Sequence, residues 1–165
     1  MKLKVAGIVD DSVVDGEGYR LTVFVQGCPR RCKNCQNRSA QPFNGGQEMD
    51  TAEILERVAA NPLLSGVTFS GGEPFCQPRP LTELARQVHR MGLNVWSYSG
   101  FTLDELWAKQ DPDVDGLLTE IDVLVDGDYQ EDKRDLSLPF RGSANQRIID
   151  LRHSTADNLA LKYAC

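Results

Sequence analysis

The sequence contains only two histidines, His89 and His153, and they lie far apart. Zinc sites combine cysteines or histidines in paired motifs at short spacing, and neither histidine belongs to such a pair. Long apolar runs are missing as well. No stretch approaches the roughly 20 residues of a membrane-spanning helix, and the first eight residues do not resemble a signal peptide. We therefore expect a cytoplasmic protein in a reducing compartment.

Positive charge is also scarce, because 18 Lys and Arg face 24 Asp and Glu, for a net charge of −6. Nucleic-acid binding relies on clustered cations, so this composition argues against it. The exception is local, where Arg30, Arg31, Lys33 and Arg38 lie close together. This basic patch is either a solvated loop surface or a docking site for an acidic electron donor.

The chain of 165 residues, 41% of them hydrophobic, is long enough for one domain with its own core, so we expect a single domain spanning 1–165. Strand patterns alternate with amphipathic helix patterns, which indicates an α/β fold with parallel strands. Strands are expected at 19–26, 66–70, 93–98 and 121–125, and helices at about 50–60, 80–91 and 102–107. We also expect a turn at 117–118, a strand or edge segment at 147–151, and Trp96 and Trp107 in the core. A complete eight-stranded barrel needs about 250 residues, so an open partial (β/α) barrel is expected.

Five cysteines are present, and three of them, Cys28, Cys32 and Cys35, follow the first predicted strand with the spacing C-x3-C-x2-C. In a reducing compartment such a cluster is more consistent with metal ligands than with disulfides. Four-iron clusters normally have four cysteine ligands. Three ligands on one loop, at 26–37, would leave one iron with an open position that can bind a substrate. Cys76 is expected to be a small buried side chain, and Cys165 has no assigned role.

Glycines and polar residues follow the other predicted strands. Gly71 and Gly72 begin a Gly-Gly-Glu-Pro segment, Ser99 and Gly100 follow the next strand, and Asp126 and Gly127 follow the one after. The carboxyl ends of parallel strands meet at one edge of a sheet, which is where ligands collect in such folds. We therefore expect these segments and the cysteine loop to share one rim.

The cysteine spacing and the Gly-Gly-Glu-Pro segment resemble signatures of the radical S-adenosylmethionine (SAM) superfamily. Val14 to Arg20 resembles the V-D-G-x-G-x-R lead-in of its glycyl-radical-activating enzymes. Residues 122–127 and 140–150 are similar to the D-V-L-V-D-G and F-R-G-S-x-N-Q-R-I-I-D segments of the anaerobic (class III) ribonucleoside-triphosphate reductase-activating proteins. The family-specific part of the sequence lies at about 121–151.

The resemblance implies reductive cleavage of SAM at a [4Fe–4S] cluster and formation of a glycyl radical on the reductase. It implies that the three loop cysteines hold the cluster and that a small electron-transfer protein such as a flavodoxin or ferredoxin supplies electrons. The SAM-contacting residues implied by the family are Gly71, Gly72, Glu73, Ser97, Ser99 and Asp126. Asn37 matches a family asparagine that either hydrogen-bonds near the cluster or closes the loop. The residues implied to contact the reductase are Arg141, Gly142, Ser143 and Asn145.

The cysteine loop departs from the superfamily at Asn34 and Gln36, where aromatic residues or histidine are common, so the residues that pack the adenine are not identified. Three other functions share part of the pattern. The chain could act on another glycyl-radical enzyme, or on a small molecule such as a deazapurine precursor. The third is a non-catalytic iron–sulfur or zinc module that binds a partner.

Overall fold

The computed structural model describes residues 1–163, which form one mixed sheet with helices in its connections. The strands are β1 (Lys2–Ser12), β2 (Arg20–Val25), β3 (Gln47–Asp50), β4 (Gly66–Gly71), β5 (Asn94–Tyr98), β6 (Val123–Asp126), β7 (Arg147–Thr155) and β8 (Asn158–Lys162). The α-helices are α1 (Thr51–Ala60), α2 (Pro78–Arg90), α3 (Leu103–Ala108) and α4 (Pro112–Glu120). Within these residues no helix is both long enough and apolar enough to cross a bilayer. Cys165 lies outside the described residues.

The strand order across the sheet is β3-β1-β2-β4-β5-β6-β7-β8. The four central strands β2, β4, β5 and β6 are parallel, and the outer strands pair antiparallel. Every residue of β4 from Gly66 to Ser70 is buried, because this central strand is covered on both faces. The expected α/β class with parallel strands is therefore confirmed.

The two faces of the sheet differ because side chains alternate along each strand. Leu21, Val67 and Val95 lie side by side and pack with α1 and α2 in the main core. Their neighbours Thr22 and Trp96 lie on the opposite face. A second, smaller core cluster there includes Val123, Val125 and Ile148. The helices thus cover one face of the sheet, and this smaller cluster covers part of the other.

Arg20 is fully buried on this second face. Its guanidinium donates to the Thr68 hydroxyl (2.6 Å), the Val67 carbonyl (2.8 Å) and the Glu17 carbonyl (3.0 Å), and it lies 5.4 Å from the centre of the Trp96 ring. Burial lowers the pKa of Arg20 to about 10. These contacts hold the V-D-G-x-G-x-R lead-in against β4.

Two expectations for individual elements were wrong, namely the turn at 117–118 and the burial of Trp107. The predicted turn at 117–118 is part of helix α4, which begins with an Asp111 side chain that accepts from Asp113 N and with Pro112 in its first turn. The 147–151 run, which was expected as a strand or an edge segment, is part of strand β7, which is paired on both sides. Trp96 is buried as expected, whereas Trp107 is 37% exposed.

Candidate active site

A cleft of about 950 Å³ lies at the carboxyl ends of the parallel strands. Its lining includes residues from all four strand-end segments, which are Cys28, Cys32 and Cys35, then Gly71 and Gly72, then Ser99 and Gly100, and finally Gly127. The structure therefore brings the cysteine loop and the three later segments together at one edge of the sheet, as the strand pattern predicts.

The cysteine loop is closed at its base by backbone hydrogen bonds. Gly27 N donates to the Ala40 carbonyl (2.7 Å), and Cys28 N donates to the Gln41 carbonyl (2.9 Å). Within the loop Cys35 N donates to the Cys32 carbonyl (3.2 Å). The three thiols that line the cleft are thus presented by a loop whose two ends are fixed.

The loop thiols are free and partly buried. Burial raises the pKa of Cys28 to about 11, and it also raises the pKa of Cys32. Because thiolates are the form that binds iron, these cysteines must release protons when a metal binds. Within residues 1–163, no group of three or more His, Cys, Asp or Glu side chains is arranged to hold a metal ion.

Positions 71 and 72 must be glycine because neighbouring backbone atoms leave no room for a side chain. Gly71 has φ +93°, and a Cβ there would lie 2.6 Å from Phe24 Cα. A Cβ on Gly72 would lie 2.4 Å from the Gly27 carbonyl oxygen, immediately before Cys28. The two glycines therefore let the end of β4 press against the base of the cysteine loop, a reason that the motif alone does not reveal.

Glu73 is completely buried beneath this junction. Its carboxylate accepts from the Ser99 hydroxyl (3.0 Å), Gly100 N (2.8 Å) and Phe75 N (3.1 Å). Burial raises the pKa of Glu73 to about 7, against the lowering effect of these hydrogen bonds. Glu73 ties two strand ends together and does not line the cleft.

Ser97 and Asp126 lie on the face of the sheet that packs against the helices, away from the cleft lining. The Ser97 hydroxyl donates to the Tyr98 carbonyl. Asp126 is 1% exposed, accepts from Leu103 N (2.8 Å) and forms an ion pair with Arg147. The strand period of two explains this placement, since their neighbours Tyr98 and Gly127 line the cleft instead. Their assignment as SAM contacts stays a prediction.

The segment 141–145, which the resemblance implies contacts the reductase, is hydrogen-bonded to Gln146. Gly142 N and Ser143 N both donate to the Gln146 side-chain oxygen, and Arg141 donates to the Gln146 and Tyr163 carbonyls. Ser143 is buried, whereas Arg141 and Gly142 line the cleft. Only part of the segment is therefore placed to meet a ligand or a partner.

Asn145 donates to the Asp128 carbonyl (2.8 Å), while its buried side-chain oxygen has no hydrogen-bond partner in the structure. Asn37 lines the cleft and caps no helix with its side chain. Cys76, which was expected in the interior, is exposed just after the Glu73 turn, so that expectation was wrong.

Sequence patterns did not identify the apolar part of the cleft. Phe24, Tyr98 and Phe140 line the cleft. Val13, Val14 and Leu136 also line it, and their side chains are largely exposed, at 60%, 69% and 78%. The alternation of side chains along β2 and β5 could have predicted the positions of Phe24 and Tyr98. Phe24 lies two positions after the buried Thr22, and Tyr98 lies two positions after the buried Trp96, so each pair shares one face of the sheet. Val13 and Leu136 lie in irregular segments that carry no such periodicity.

The family model described as a 4Fe-4S single cluster domain matches residues 14–149. The chain is 39% identical over 145 residues to the anaerobic ribonucleoside-triphosphate reductase-activating protein of Pasteurella multocida (strain Pm70), covering 82% of this chain and 90% of the relative. It is 37% identical over 151 residues to the protein of the same name from Escherichia coli (strain K12), covering 85% and 94%. The chain belongs to this family of activating proteins.

A more distant family member of the same name, from Enterobacteria phage T4, is 29% identical over 142 residues and covers 82% of this chain and 86% of the relative. Among solved structures, QueE from Escherichia coli is similar with a TM-score of 0.49 and 14% identity, covering 62% of this chain and 54% of that one. The donor type fits the 4Fe-4S description, because three free thiols on one anchored loop line a single cleft, but these thiols are not gathered into a metal-binding group in the structure of residues 1–163.

Proposed function

We propose that the chain activates an anaerobic ribonucleotide reductase by reductive cleavage of SAM at a [4Fe–4S] cluster, which generates a glycyl radical on the reductase. The observation that carries this proposal is the meeting of three loop thiols and the glycine backbone of β4 in one cleft at the carboxyl ends of the parallel strands. The names of relatives that match nearly their whole length support the choice of reductase.

In this proposal Cys28, Cys32 and Cys35 hold the cluster, which supplies the electron for SAM cleavage. The backbone at Gly71 and Gly72 and the Ser99 hydroxyl are the polar groups of the cleft that receive the methionine end of SAM. Glu73, Ser97 and Asp126, which the family resemblance also implies as SAM contacts, hydrogen-bond to the strand ends on which these groups lie.

The adenine of SAM needs an apolar surface, and the cysteine loop offers Gln36 in place of an aromatic side chain. The rings of Phe24, Tyr98 and Phe140 supply that surface from the sheet and from the 136–141 segment. Tyr98 is held in place because its hydroxyl donates to the Phe140 carbonyl (2.5 Å).

We also propose that the sheet forms an open partial (β/α) barrel of the radical SAM type within one domain, and that the protein works in the cytoplasm. Its protein substrate is the glycine loop of the reductase, and a small electron-transfer protein such as a flavodoxin or ferredoxin reduces the cluster.

Anaerobic reconstitution tests the central step. The loaded chain should contain about four irons, and its reduced electron paramagnetic resonance (EPR) spectrum should change when SAM is added, since one iron keeps an open position. Incubation with the reductase should then yield a glycyl radical signal. A zinc-only protein, or SAM cleavage that modifies a small molecule and leaves the reductase unchanged, would contradict the proposal.

A further inference from the structure

The cysteine loop carries three exposed cations that have no carboxylate partner. Arg31 and Lys33 flank Cys32, and Arg38 follows Cys35 by three positions. None of the ion pairs within residues 1–163 involves these three side chains. Arg38 donates only to the Asn34 side-chain oxygen (2.9 Å). We call the surface formed by Arg31, Lys33 and Arg38 the basic loop face.

Several cations elsewhere in the chain are paired with carboxylates. Arginines on other elements pair with carboxylates at 2.5–2.9 Å, as in Arg57–Asp10, Arg79–Asp113, Arg86–Glu120 and Arg152–Asp122. Even Arg30, on the same loop, pairs with Glu105. Other cations, including Arg90, Lys133 and Arg134, also form no ion pair with the described residues, but the basic loop face places three such cations on one loop beside the cysteines.

The basic loop face is separate from the cleft. Cys32 and Cys35 line the cleft, whereas Arg31, Lys33 and Arg38 do not. Glu131 already accepts from the Tyr129 hydroxyl (2.5 Å), which is the main reason that its pKa is lowered, and Lys33 contributes only a smaller part of that lowering. A molecule that binds the basic loop face therefore approaches the cysteines from outside and leaves the cleft open.

We propose that the basic loop face is the docking surface for an acidic one-electron carrier protein. This inference rests on the proposed function, since it supplies the electron which that function needs. One electron leaves the reduced cofactor of the carrier, which is oxidised, and enters the iron–sulfur cluster. No bond forms or breaks in this step.

Opposite charges steer the encounter of two proteins, and salt screens this attraction. Arg31 and Lys33 directly flank Cys32, and Arg38 lies three positions after Cys35, so an acidic surface that contacts these cations also brings the carrier close to the cluster. Exposed cations without partners lose little by being paired with a docking protein, because no existing ion pair has to break.

A flavodoxin, which is small and acidic, is the probe for the test. The Arg31→Gln, Lys33→Gln, Arg38→Gln triple variant should bind oxidised flavodoxin about tenfold more weakly at low ionic strength, and the difference should vanish at high salt. The rate at which reduced flavodoxin reduces the loaded chain should fall in parallel. Iron per chain and the response of the EPR spectrum to SAM should match the parent.

A charge-matched pair of single variants provides the control. Lys33→Glu and Arg90→Glu change the net charge equally, but Arg90 ends α2, which leads away from the carboxyl edge of the sheet to its opposite edge. Only Lys33→Glu should weaken flavodoxin binding. Equal effects of both variants, or weaker binding to the reductase with unchanged binding to flavodoxin, would overturn the inference. Loss of the EPR response in the parent chain would instead contradict the proposed function.

Discussion

At the scale of single residues, the cysteines separate into two groups. Cys28, Cys32 and Cys35 line one cleft from one loop, whereas Cys76 is exposed after β4. The spacing in the sequence was sufficient to predict the first group. The exposure of Cys76 could not be predicted, because it depends on the short 3-10 turn at Pro74–Cys76.

Replacement of any one loop cysteine by Ala should abolish SAM cleavage and lower iron per chain, because a lost thiolate leaves a second iron unprotected. Cys76→Ala is the matched control and should keep both, and Cys165→Ala should do the same. Iron analysis and methionine release measure the two effects. A Cys76 variant without the cluster, beside a Cys32 variant that retains it, would refute the ligand assignment.

Glu73 should make the stability of the chain depend on pH. Its pKa is raised from 4.5 to about 7 in the folded state, so the folded chain binds more protons than the unfolded chain between these values. The free energy of unfolding should therefore fall as pH rises from about 4.5 to 7, by up to about 3 kcal/mol. Glu73→Gln should remove most of this slope. Urea unfolding at several pH values measures it, and an identical slope in both chains would argue against a buried carboxyl that titrates.

At the scale of elements, the junction between β4 and the cysteine loop leaves no room for an added methyl group. Gly72→Ala should destabilise the chain by about 1–3 kcal/mol and lower iron per chain, because its Cβ would collide with the Gly27 carbonyl. Gly116→Ala in α4 is the matched control, since nothing lies within 4 Å of its Cβ position, and it should stabilise by about 0.5–1 kcal/mol. Thermal unfolding compares the two, and a Gly72 variant as stable as the parent would disprove the packing argument.

The elements with strong apolar patterns were predictable from sequence, and the weakly patterned ones were not. Strand β2 and helix α2 appear where the pattern placed them. Strand β1 has mostly exposed residues, with Leu3 and Val5 buried near its start, so its pattern was too weak to read. Helix α4 was not predicted, because Gly116 in its interior disfavours a helix, although Asp111 and Pro112 form a typical helix start. The wall formed by residues 136–141 depends on contacts distant in sequence, which no local pattern encodes.

At the scale of the whole molecule, Arg141 connects three parts of the chain, since it lines the cleft and donates to carbonyls of Gln146 and Tyr163. Arg141→Ala should largely spare SAM cleavage driven by a chemical reductant. If Arg141 contacts the glycine loop of the reductase, as the family resemblance implies, radical formation on the reductase should fall about tenfold or more, because that loop would lose a charge-assisted donor. Arg152→Ala, which breaks an ion pair far from the cleft, is the control. Equal loss of both activities would place Arg141 in the SAM site or in the fold.

The hydrogen bonds that close the base of the cysteine loop have a consequence for the order of assembly. Because Gly27 and Cys28 are fixed by protein carbonyls, the chain need not wait for iron to form its sheet, unlike a zinc finger, which unfolds without metal. In hydrogen–deuterium exchange, the metal-free chain should therefore protect the amides of Gly27 and Cys28 about as well as those of β2. The amides of Arg31 to Lys33 should exchange quickly until iron is supplied. Loss of protection throughout β2 on iron removal would mean that the metal organises the scaffold instead.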